Sequence, residues 1–571
     1  MKYETEETSV QGIATAAQEE DDPPELVAAA EKLAQLHLDK DTEDDEQEPE
    51  EWNPVRMGGD DSSDEESLEE VMAPLRVRSA AQDNIAVAPI RKPKMVLSDH
   101  REEGAGSEAS ARAQAVVVTD PTLAHELLRC KLLDKFRFQY SFLDPFLSGT
   151  NLLTGHTDEH WRAVRKGIAP AFSTANVRDA SGHIIERSLK LVDILNQTQS
   201  DAAVNVDDLL LRLSMDVIGR TGFQIEMGAL EGWLAGSGED SGSYIAVMLR
   251  CTEEVVRRIE TPVDHMLGAL RSRMRQGNAL FRTWKELVMG LLEHVKSREA
   301  TPGSFADLLR LVRDPKTGAP LTAAQMLPEV AALFFAGIDT TGHTGAWTLY
   351  ALSQHPEVEA RVVQQLDALG LLVTPDRHHP RKPEYADIAR LTYLKCVIKE
   401  VLRMYPPVGI GQIRVSHSHD LVLCGGALTI PRGTLLWMPH HAMHNTSANW
   451  DQPHSFLPER WMEPEAEYAQ KECGLPMQLR KGLTSKQGSN LCNGERPKRY
   501  MPFAEGPRSC VGKNLANSTL PLTLATLLSH FSFKLADQMG GAEGVRRAEQ
   551  YTLVTGIAGG MYMHALPRLA Q

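Results

Sequence analysis

The amino-acid sequence predicts a mainly α-helical fold with small β-sheets. The segment from Thr322 to about Leu352 is apolar on nearly all faces, which is typical of a central, buried helix. A second apolar helix is predicted from Lys513 to about Leu528, directly after a glycine-bounded loop. Strand patterns are short and concentrate in residues 409–436, and the chain has no internal repeat. These features predict one large helical domain.

The negative charge of the chain is concentrated near its N-terminus. The 571 residues carry a net charge of −17, yet residues 1–70 alone contain 25 Asp and Glu against four Lys and Arg. The rest of the chain therefore carries a net charge of +4. Because so charged a segment buries little apolar surface, we predict a disordered acidic tail over residues 1–75. Residues 76–114 are poorly patterned and predict a diverged or incomplete N-terminal part, before a folded domain over residues 115–571.

Cysteine spacing and apolar runs exclude several classes of protein. The seven cysteines are scattered and contain no Cys-x-x-Cys pair, which argues against a disulfide framework and a structural zinc site. No run of about 18 apolar residues encodes a membrane-spanning helix, so any membrane contact would be peripheral. The N-terminus also lacks the pattern of a signal or transit peptide. We expect a reducing compartment and no nucleic-acid partner.

The pattern of a folded domain begins at Ala115. Residues 115–119 predict a short buried strand, and Asp120 followed by Pro121 predicts the N-cap and first residue of a helix. A phenylalanine-rich loop follows at 136–146, and helical patterns dominate from there to about residue 400. The polar segment 462–500 predicts no regular element.

The loop from Phe503 to Gly512 carries the strongest chemical pattern. Cys510 precedes a helix, whose backbone N–H groups and dipole favour a thiolate. Gly506 and Gly512 let a flat ligand approach the backbone, and Arg508 offers a fixed charge to a carboxylate. These residues predict a soft metal bound through sulfur beside an anionic group. The alternative is a buried cysteine that packs against a helix start.

Polar residues interrupt the apolar central helix at its middle. Thr322 and Gln325 predict a capping box at its start, and Gly337, Asp339 and Thr340 break the apolar pattern later. Gly337 would leave space for a flat group, Asp339 can pass protons, and Thr340 can hold a water molecule or bound oxygen. A notch for helix packing is the alternative interpretation.

Two further motifs place charged residues on single helix faces. Trp161 and Arg165 are four residues apart, and Glu400 and Arg403 are three residues apart, so each pair shares a face. Arg460 follows in the segment Pro-Glu-Arg-Trp.

Taken together, these motifs resemble the cytochrome P-450 superfamily, in its eukaryotic type and in the family's order. Phe-x-x-Gly-x-Arg-x-Cys-x-Gly at 503–512 is similar to the family's haem-binding loop, and Gly-x-Asp-Thr-Thr at 337–341 resembles its oxygen-activating segment. The resemblance covers residues 115–571. It implies the cytochrome P-450 fold, with haem between the long central helix and the cysteine-loop helix.

The resemblance also implies roles for the matched residues. Cys510 would be the axial ligand of the iron in haem b (iron protoporphyrin IX), while Asp339 and Thr340 would deliver protons. The buried charges of Glu400, Arg403 and Arg460 would lock the core behind the cysteine loop. The other cofactor-binding residues implied by the resemblance are Trp161, Arg165, Arg414, Arg508, Phe503 and Gly512.

The function implied is that of a monooxygenase, which inserts one atom of O2 into a lipophilic substrate and reduces the other to water. The chain has no dinucleotide-binding fingerprint, so electrons would come from a separate NADPH-dependent reductase or ferredoxin. A haem-thiolate isomerase or dehydratase, which Thr340 disfavours, and a non-catalytic haem-binding protein are the alternatives. Family members of this type lie at the cytosolic face of the endoplasmic reticulum or in plastids.

Two surfaces are predicted for this function. A basic face for an acidic electron donor would consist of Arg162, Lys166, Arg496, Lys498, Arg499 and Lys513. An apolar substrate pocket would consist of the loop 136–146, Phe334, Phe335, Ala336 and the segments 408–410 and 557–559.

Overall fold

A computed structural model of the chain describes residues 115–199, 202–234, 244–260, 270–297, 302–423, 428–467 and 498–570. The acidic tail predicted over residues 1–75 and the segment 76–114 lie outside the described residues. So do Arg496 and most of the polar segment 462–500.

Helices make up most of the described residues, as the sequence predicts. In chain order they are Pro121–Arg129 (α1), Arg137–Ser141 (α2), Asp144–Leu147 (α3), Glu159–Ile168 (α4), Thr174–Gln197 (α5), Val206–Ile218 (α6), Ala229–Leu234 (α7), Tyr244–Glu260 (α8), Leu270–Ser297 (α9), Phe305–Leu311 (α10), Ala323–Gln354 (α11), Pro356–Ala368 (α12), Asp387–Arg390 (α13), Thr392–Met404 (α14), His440–His444 (α15), Lys513–His530 (α16) and Gly541–Ala548 (α17). Among the described residues, no helix is both long and apolar enough to cross a membrane.

The β-strands are short and form small sheets. They are Ala115–Val117 (β1), Asp134–Lys135 (β2), Val204–Asn205 (β3), Gln412–Val415 (β4), Leu421–Leu423 (β5), Leu428–Ile430 (β6), Leu435–Met438 (β7), Phe531–Leu535 (β8), Glu549–Thr552 (β9), Val554–Ile557 (β10) and Tyr562–Pro567 (β11). A four-stranded sheet has the order β1-β7-β4-β2 and a three-stranded sheet the order β3-β11-β8. The predicted class, mainly α with small β-sheets, is confirmed.

Both predicted helix starts are confirmed. The Asp120 carboxylate accepts a hydrogen bond from the Leu123 N–H at 2.8 Å, and Pro121 is the first residue of α1. Thr322 and Gln325 form a capping box at the start of α11. This central helix has 32 residues and is about 48 Å long at a rise of 1.5 Å per residue.

The first predicted strand is present, but it is not buried. β1 pairs in parallel with β7 and is the edge strand of its sheet, and the Val117 side chain is 54% exposed. The burial prediction was wrong because a run of valines cannot distinguish an edge strand from a central one.

Glycines bring the central helix α11 very close to α6. A Cβ atom on Gly342 would lie 2.9 Å from the Leu211 Cα atom, and one on Gly337 would lie 2.8 Å from Ile218 Cγ1. Gly337 therefore serves helix packing, which was the alternative interpretation, and the prediction that it leaves space for a flat group was wrong. The close crossing fixes which side chains at the start of α6 face α11.

Candidate active site

The Cys510 thiol lies at the N-terminal end of α16, in a loop that is bonded to its neighbours. Cys510 N–H donates to the Phe503 carbonyl at 2.9 Å, and Gly512 precedes the first residue of α16. Burial raises the pKa of the thiol, whereas the backbone N–H groups of Gly512 and Lys513 and the charge of Arg165 act in the opposite direction. The donors predicted for a thiolate at this helix start are thus present.

Two residues with closely packed surroundings, Cys510 and Ala336, are nevertheless accessible to solvent. Cys510 is exposed to solvent, although the protein surrounds its thiol closely enough for burial to raise the pKa. Ala336 is likewise exposed in the middle of α11, between Phe335, which is 5% exposed, and Ile338, which is 1% exposed. An accessible thiol and an accessible stretch of central helix are what a large internal ligand requires.

A cluster of buried cations lies near the cysteine loop. Strand pairing places Lys135 of β2 directly opposite Arg414 of β4, and these side chains are 4% and 2% exposed. Burial, followed by the charges of Arg414 and Arg508, lowers the pKa of Lys135 well below its usual range, and Asp134 partly offsets this. Arg414 Nη2 has no hydrogen-bond partner in the described part of the chain. Like charges opposite each other in a sheet destabilise it, and a buried charge without a counter-charge is costly. An anion bound beside this cluster would therefore stabilise it.

Arg508 is held within this cluster by neutral and acidic partners. It donates to Thr157 Oγ1 at 2.9 Å, to Asp134 Oδ1 at 3.1 Å and to the Gly155 carbonyl at 2.6 Å. Its guanidinium group also lies 4.0 Å from the centre of the Trp161 ring. Arg508 thus joins the cysteine loop to the segment that precedes α4.

The Trp-x-x-x-Arg motif on α4 contacts the cysteine loop and its support. Trp161 Nε1 donates to the Leu152 carbonyl at 3.0 Å, and Arg165 Nη2 donates to the Ser509 carbonyl at 2.7 Å. The structure therefore brings Trp161, Arg165, Arg508 and Cys510 together.

The glycines of the loop differ in what they contact. A Cβ on Gly512 would have Cys510 Sγ, at 3.9 Å, as its nearest neighbour, which leaves room beside the sulfur. Gly506 has a φ of +74°, and its Cβ would lie 2.4 Å from the Leu128 carbonyl oxygen. Gly506 is thus required for the turn and for contact with α1, and its predicted role beside a ligand was wrong. The ring of Phe503 is partly buried and packs against the core.

The polar residues of α11 occupy different environments. Asp339 is 1% exposed, its Oδ1 lies 3.3 Å from His343 Nε2, and its Oδ2 has no partner among the described residues. Thr340 is partly exposed, and its hydroxyl donates to the Ala336 carbonyl at 2.9 Å without interrupting the helix. Asp339 can therefore hold a proton at a free oxygen, and Thr340 has a hydroxyl that can exchange partners.

The predicted structural residues form one buried network. The Glu400 carboxylate accepts from Arg403 Nη2 at 2.9 Å and from Arg460 Nε at 3.1 Å, and side chains of Glu400 and Arg403 are 0% exposed. The Trp461 indole N–H and the Leu457 backbone N–H also donate to Glu400. The sequence motif alone did not single out Trp461.

Two predicted surfaces need correction. Phe334 and Phe146 are both fully buried in the apolar core beside Trp284, whereas Ala336 is accessible, so the predicted pocket contains core residues. On the predicted basic face, Arg499 is 9% exposed and donates to the carbonyls of Ala466 and Asn449. Among the described residues of that face, the exposed cations are Arg162, Lys166 and Lys513, while Lys498 is paired with Glu505.

Sequence reasoning missed Lys135, Asp134, His343 and Asp207 at this site. Asp134 and Lys135 are adjacent charged residues of the kind found on most surfaces, and only the register of β2 with β4 shows that Lys135 meets Arg414. His343 follows Asp339 by four residues, so both share one helix face. This spacing could have predicted that the two side chains interact.

The residues present fit a flat, iron-bearing group with two negative charges, such as haem. The thiol of Cys510 is accessible within the protein and can bind a soft metal. Gly512 leaves space beside that sulfur. Lys135 and Arg414 are buried and opposite each other in strand register, and no described residue accepts a hydrogen bond from Arg414 Nη2, so this pair suits carboxylates.

Comparisons with known proteins show which family the chain is similar to. The family model "Cytochrome P450" matches residues 108–543. The chain is 28% identical over 426 residues to "Cytochrome P450 4V2" of Mus musculus, with 71% of this chain and 72% of that protein covered. It is 26% identical over 431 residues to "Cytochrome P450 monooxygenase claP" of Ampulloclitocybe clavipes, with 70% and 73% covered. "Cytochrome P450 3A7" of Homo sapiens is 24% identical over 431 residues, with 73% and 76% covered.

The family match accounts for most of the chain and for the fold. A mainly helical fold with small sheets is the fold of this family, and membership implies a haem cofactor, O2, a substrate and a redox partner. The chain is therefore a member of the cytochrome P450 family of haem-dependent monooxygenases.

Proposed function

We propose that this protein inserts one atom of O2 into a lipophilic substrate and reduces the other to water, with haem b bound through Cys510. The observation that carries the proposal is the Cys510 thiol, which is accessible within the protein and faces the N–H groups of Gly512 and Lys513. When haem is bound, thiolate ligation favours cleavage of the O–O bond.

The protein would hold the cofactor at two places. Cys510 would bind the iron, and Gly512 allows the flat group to approach. Arg414, Lys135 and Arg508 would bind its carboxylates, because Asp134 is the one carboxylate among the described residues that acts on the buried charges of Lys135 and Arg508. Trp161 supports Arg508, Arg165 holds the Ser509 carbonyl, and Phe503 packs beneath the loop.

Residues of α11 would handle protons. Asp339 Oδ2 has no partner among the described residues and can accept a proton and pass it on. The Thr340 hydroxyl can exchange the Ala336 carbonyl for a water molecule, because its side chain is partly accessible. A protein that only binds haem would have no need of an acid beside such a hydroxyl.

A separate acidic electron donor would reduce the protein. The exposed cations Arg162, Lys166 and Lys513 support this proposal, since Lys513 immediately follows the cysteine loop on α16. The donor would be an NADPH-dependent reductase or a ferredoxin. The substrate would be lipophilic because apolar residues dominate the core around Ala336.

The test is the absorption spectrum of the reduced protein with carbon monoxide. We expect a strongly red-shifted Soret band in the wild type and its loss in Cys510→Ala. Cys396→Ala is the matched control, because Cys396 is a buried cysteine on α14, and it should keep the band. A wild type whose band is not red-shifted would contradict the proposal.

A turnover assay completes the test. Wild type and Thr340→Ala are compared with either donor and a panel of fatty acids, sterols and terpenoids. We expect Thr340→Ala to release more hydrogen peroxide per NADPH oxidised than the wild type, because proton delivery is impaired.

A further inference from the structure

A buried histidine on the central helix lies between two carboxylates. His343 Nδ1 is 2.7 Å from Asp207 Oδ1, and His343 Nε2 is 3.3 Å from Asp339 Oδ1. The exposed fractions of the Asp207, His343 and Asp339 side chains are 8%, 7% and 2%. Both ring nitrogens therefore face a carboxylate oxygen, and nearly no water reaches the array.

The fold fixes this array from three directions. Asp207 is in the first turn of α6, which the glycines of α11 allow to approach closely. Asp339 is four residues before His343 on α11 itself. On the third side, a Cβ on Gly556 of β10 would lie 3.1 Å from His343 Cε1, so the strand confines the ring.

The array contains one group that can be positively charged, His343, and two that can be negatively charged, Asp207 and Asp339. β10 contributes no ionisable side chain, so Asp207 from α6 and Asp339 from α11 are the charged groups that face the ring. Burial disfavours the charged ring, but Asp207 and then Asp339 outweigh it and raise the pKa of His343 well above its ordinary value. Each ring nitrogen of the imidazolium can then donate to one carboxylate.

We infer that His343 is the positioning residue for Asp339: as an imidazolium anchored by Asp207, it holds Asp339 Oδ1 and leaves Oδ2 as the oxygen that handles protons. The inference rests on the proposed function of Asp339. The position of Oδ2 supports it, because no described residue bonds to this oxygen and an unpartnered buried carboxylate oxygen is otherwise costly. A carboxyl group held at one oxygen cannot rotate freely, so Oδ2 keeps one orientation.

Two variants of the full-length haem protein test this role. His343→Gln keeps a side-chain donor but removes the charge, and Asp207→Asn keeps an acceptor for Nδ1 but removes its charge. His183→Gln is the matched control, because His183 pairs with Glu186 across one helical turn at 3.8 Å and is 39% exposed. If one of the two variants does not fold, the other provides the same measurements.

The first measurement is the melting temperature of the resting protein between pH 6 and pH 9. A group whose pKa is raised by folding stabilises below its unfolded pKa, near 6.5, and loses this effect as the pH rises through the folded pKa. The wild type should therefore exceed His343→Gln in melting temperature most at pH 6, with a difference that shrinks toward pH 9. His183→Gln should show no such trend.

The second measurement is hydrogen peroxide formed per NADPH oxidised, with the electron donor present and lauric acid as the lipophilic probe. We expect the rate of O2 reduction to water to fall about tenfold in both variants, so that peroxide yield rises. The red-shifted band with carbon monoxide should stay, since Cys510 is untouched.

The outcomes separate the two proposals. A wild type without the red-shifted band overturns both the monooxygenase function and this inference. A normal wild-type band with a peroxide yield in His343→Gln and Asp207→Asn equal to that of His183→Gln overturns the inference alone. A melting-temperature difference that is constant with pH also overturns it, since His343 would then carry no extra proton in the folded state.

Discussion

Two buried carboxylates of this protein differ sharply in how fully they are hydrogen-bonded. Glu400 accepts from Arg403, Arg460, the Trp461 indole and the Leu457 backbone. Asp339 instead faces His343 at one oxygen, and its other oxygen has no partner in the part of the chain that the structure describes. Each has a basic partner one turn later on its own helix, so the local sequence patterns are alike. A saturated carboxylate stabilises the fold, and an unsaturated one keeps an oxygen for chemistry.

The largest expected effect is the loss of stability when Glu400 loses its charge. Glu400→Gln leaves Arg403, which is 0% exposed, and Arg460, which is 12% exposed, without a carboxylate. Removing one partner of a buried ion pair costs about 3–5 kcal/mol of the free energy of unfolding. Urea unfolding followed by circular dichroism measures this loss.

A matched control separates burial from charge in this experiment. Glu543 pairs with Arg546 three residues later on α17, the same spacing as Glu400 and Arg403, but its side chain is 51% exposed. Glu543→Gln should leave the unfolding midpoint unchanged, because water screens this pair. Equal stability of Glu400→Gln and Glu543→Gln would show that the buried network does not lock the fold.

Asp339→Asn should show the opposite balance between stability and activity. Asn keeps an oxygen for His343 but cannot exchange protons at its other atom, so we expect turnover to fall about a hundredfold. The free energy of unfolding should fall by about 1 kcal/mol, less than for Glu400→Gln, because His343 keeps its ion pair with Asp207 and a side-chain oxygen at position 339. Melting temperature and product formation are measured on the same preparation.

The exposed Asp193 on α5 provides the control as Asp193→Asn, which should match the wild type in both measurements. An Asp339→Asn protein that is strongly destabilised but turns over normally when folded would place Asp339 with Glu400, as a structural residue.

Local patterns predicted the saturated network better than the unsaturated one. Glu400, Arg403 and Arg460 lie in short motifs, and the caps at Asp120 and Thr322 depend on neighbouring residues alone. The fold class followed from helical periodicity, and the cysteine loop from its spacing. These local contacts could be predicted from the sequence because the interacting groups lie within a few residues of each other.

Contacts between residues far apart in the chain could not be predicted from the sequence. Asp207 and His343 are 136 residues apart, and they meet because glycines let α6 cross α11 closely. Lys135 meets Arg414 only through strand register. Gly337 and Gly506 were assigned to a ligand because a glycine pattern does not say whether a ligand or another helix approaches it.

A third buried carboxylate, Glu329, lies between these two extremes. It is 4% exposed near the start of α11 and accepts from the Leu152 backbone N–H at 2.9 Å. Burial raises its pKa to about 7, and the single N–H only partly offsets burial. The Leu152 carbonyl in turn accepts from Trp161, so Glu329 holds the segment that supports Arg508.

The smallest of the three effects is therefore a pH-dependent gain of stability in Glu329→Gln. Because folding raises the pKa of Glu329, the folded state retains a proton that the unfolded chain releases above about pH 4.3, so wild-type stability falls as the pH rises toward 7. Gln cannot ionise and still accepts from Leu152, so the stability of Glu329→Gln relative to the wild type should be about 2.5 kcal/mol greater at pH 8.5 than at pH 5. Urea unfolding at both pH values measures this, with Glu286→Gln on the exposed face of α9 as the control without pH dependence. If Glu329→Gln were destabilised at pH 8.5, the ionised carboxylate would have further donors, and Glu329 would belong with the saturated Glu400.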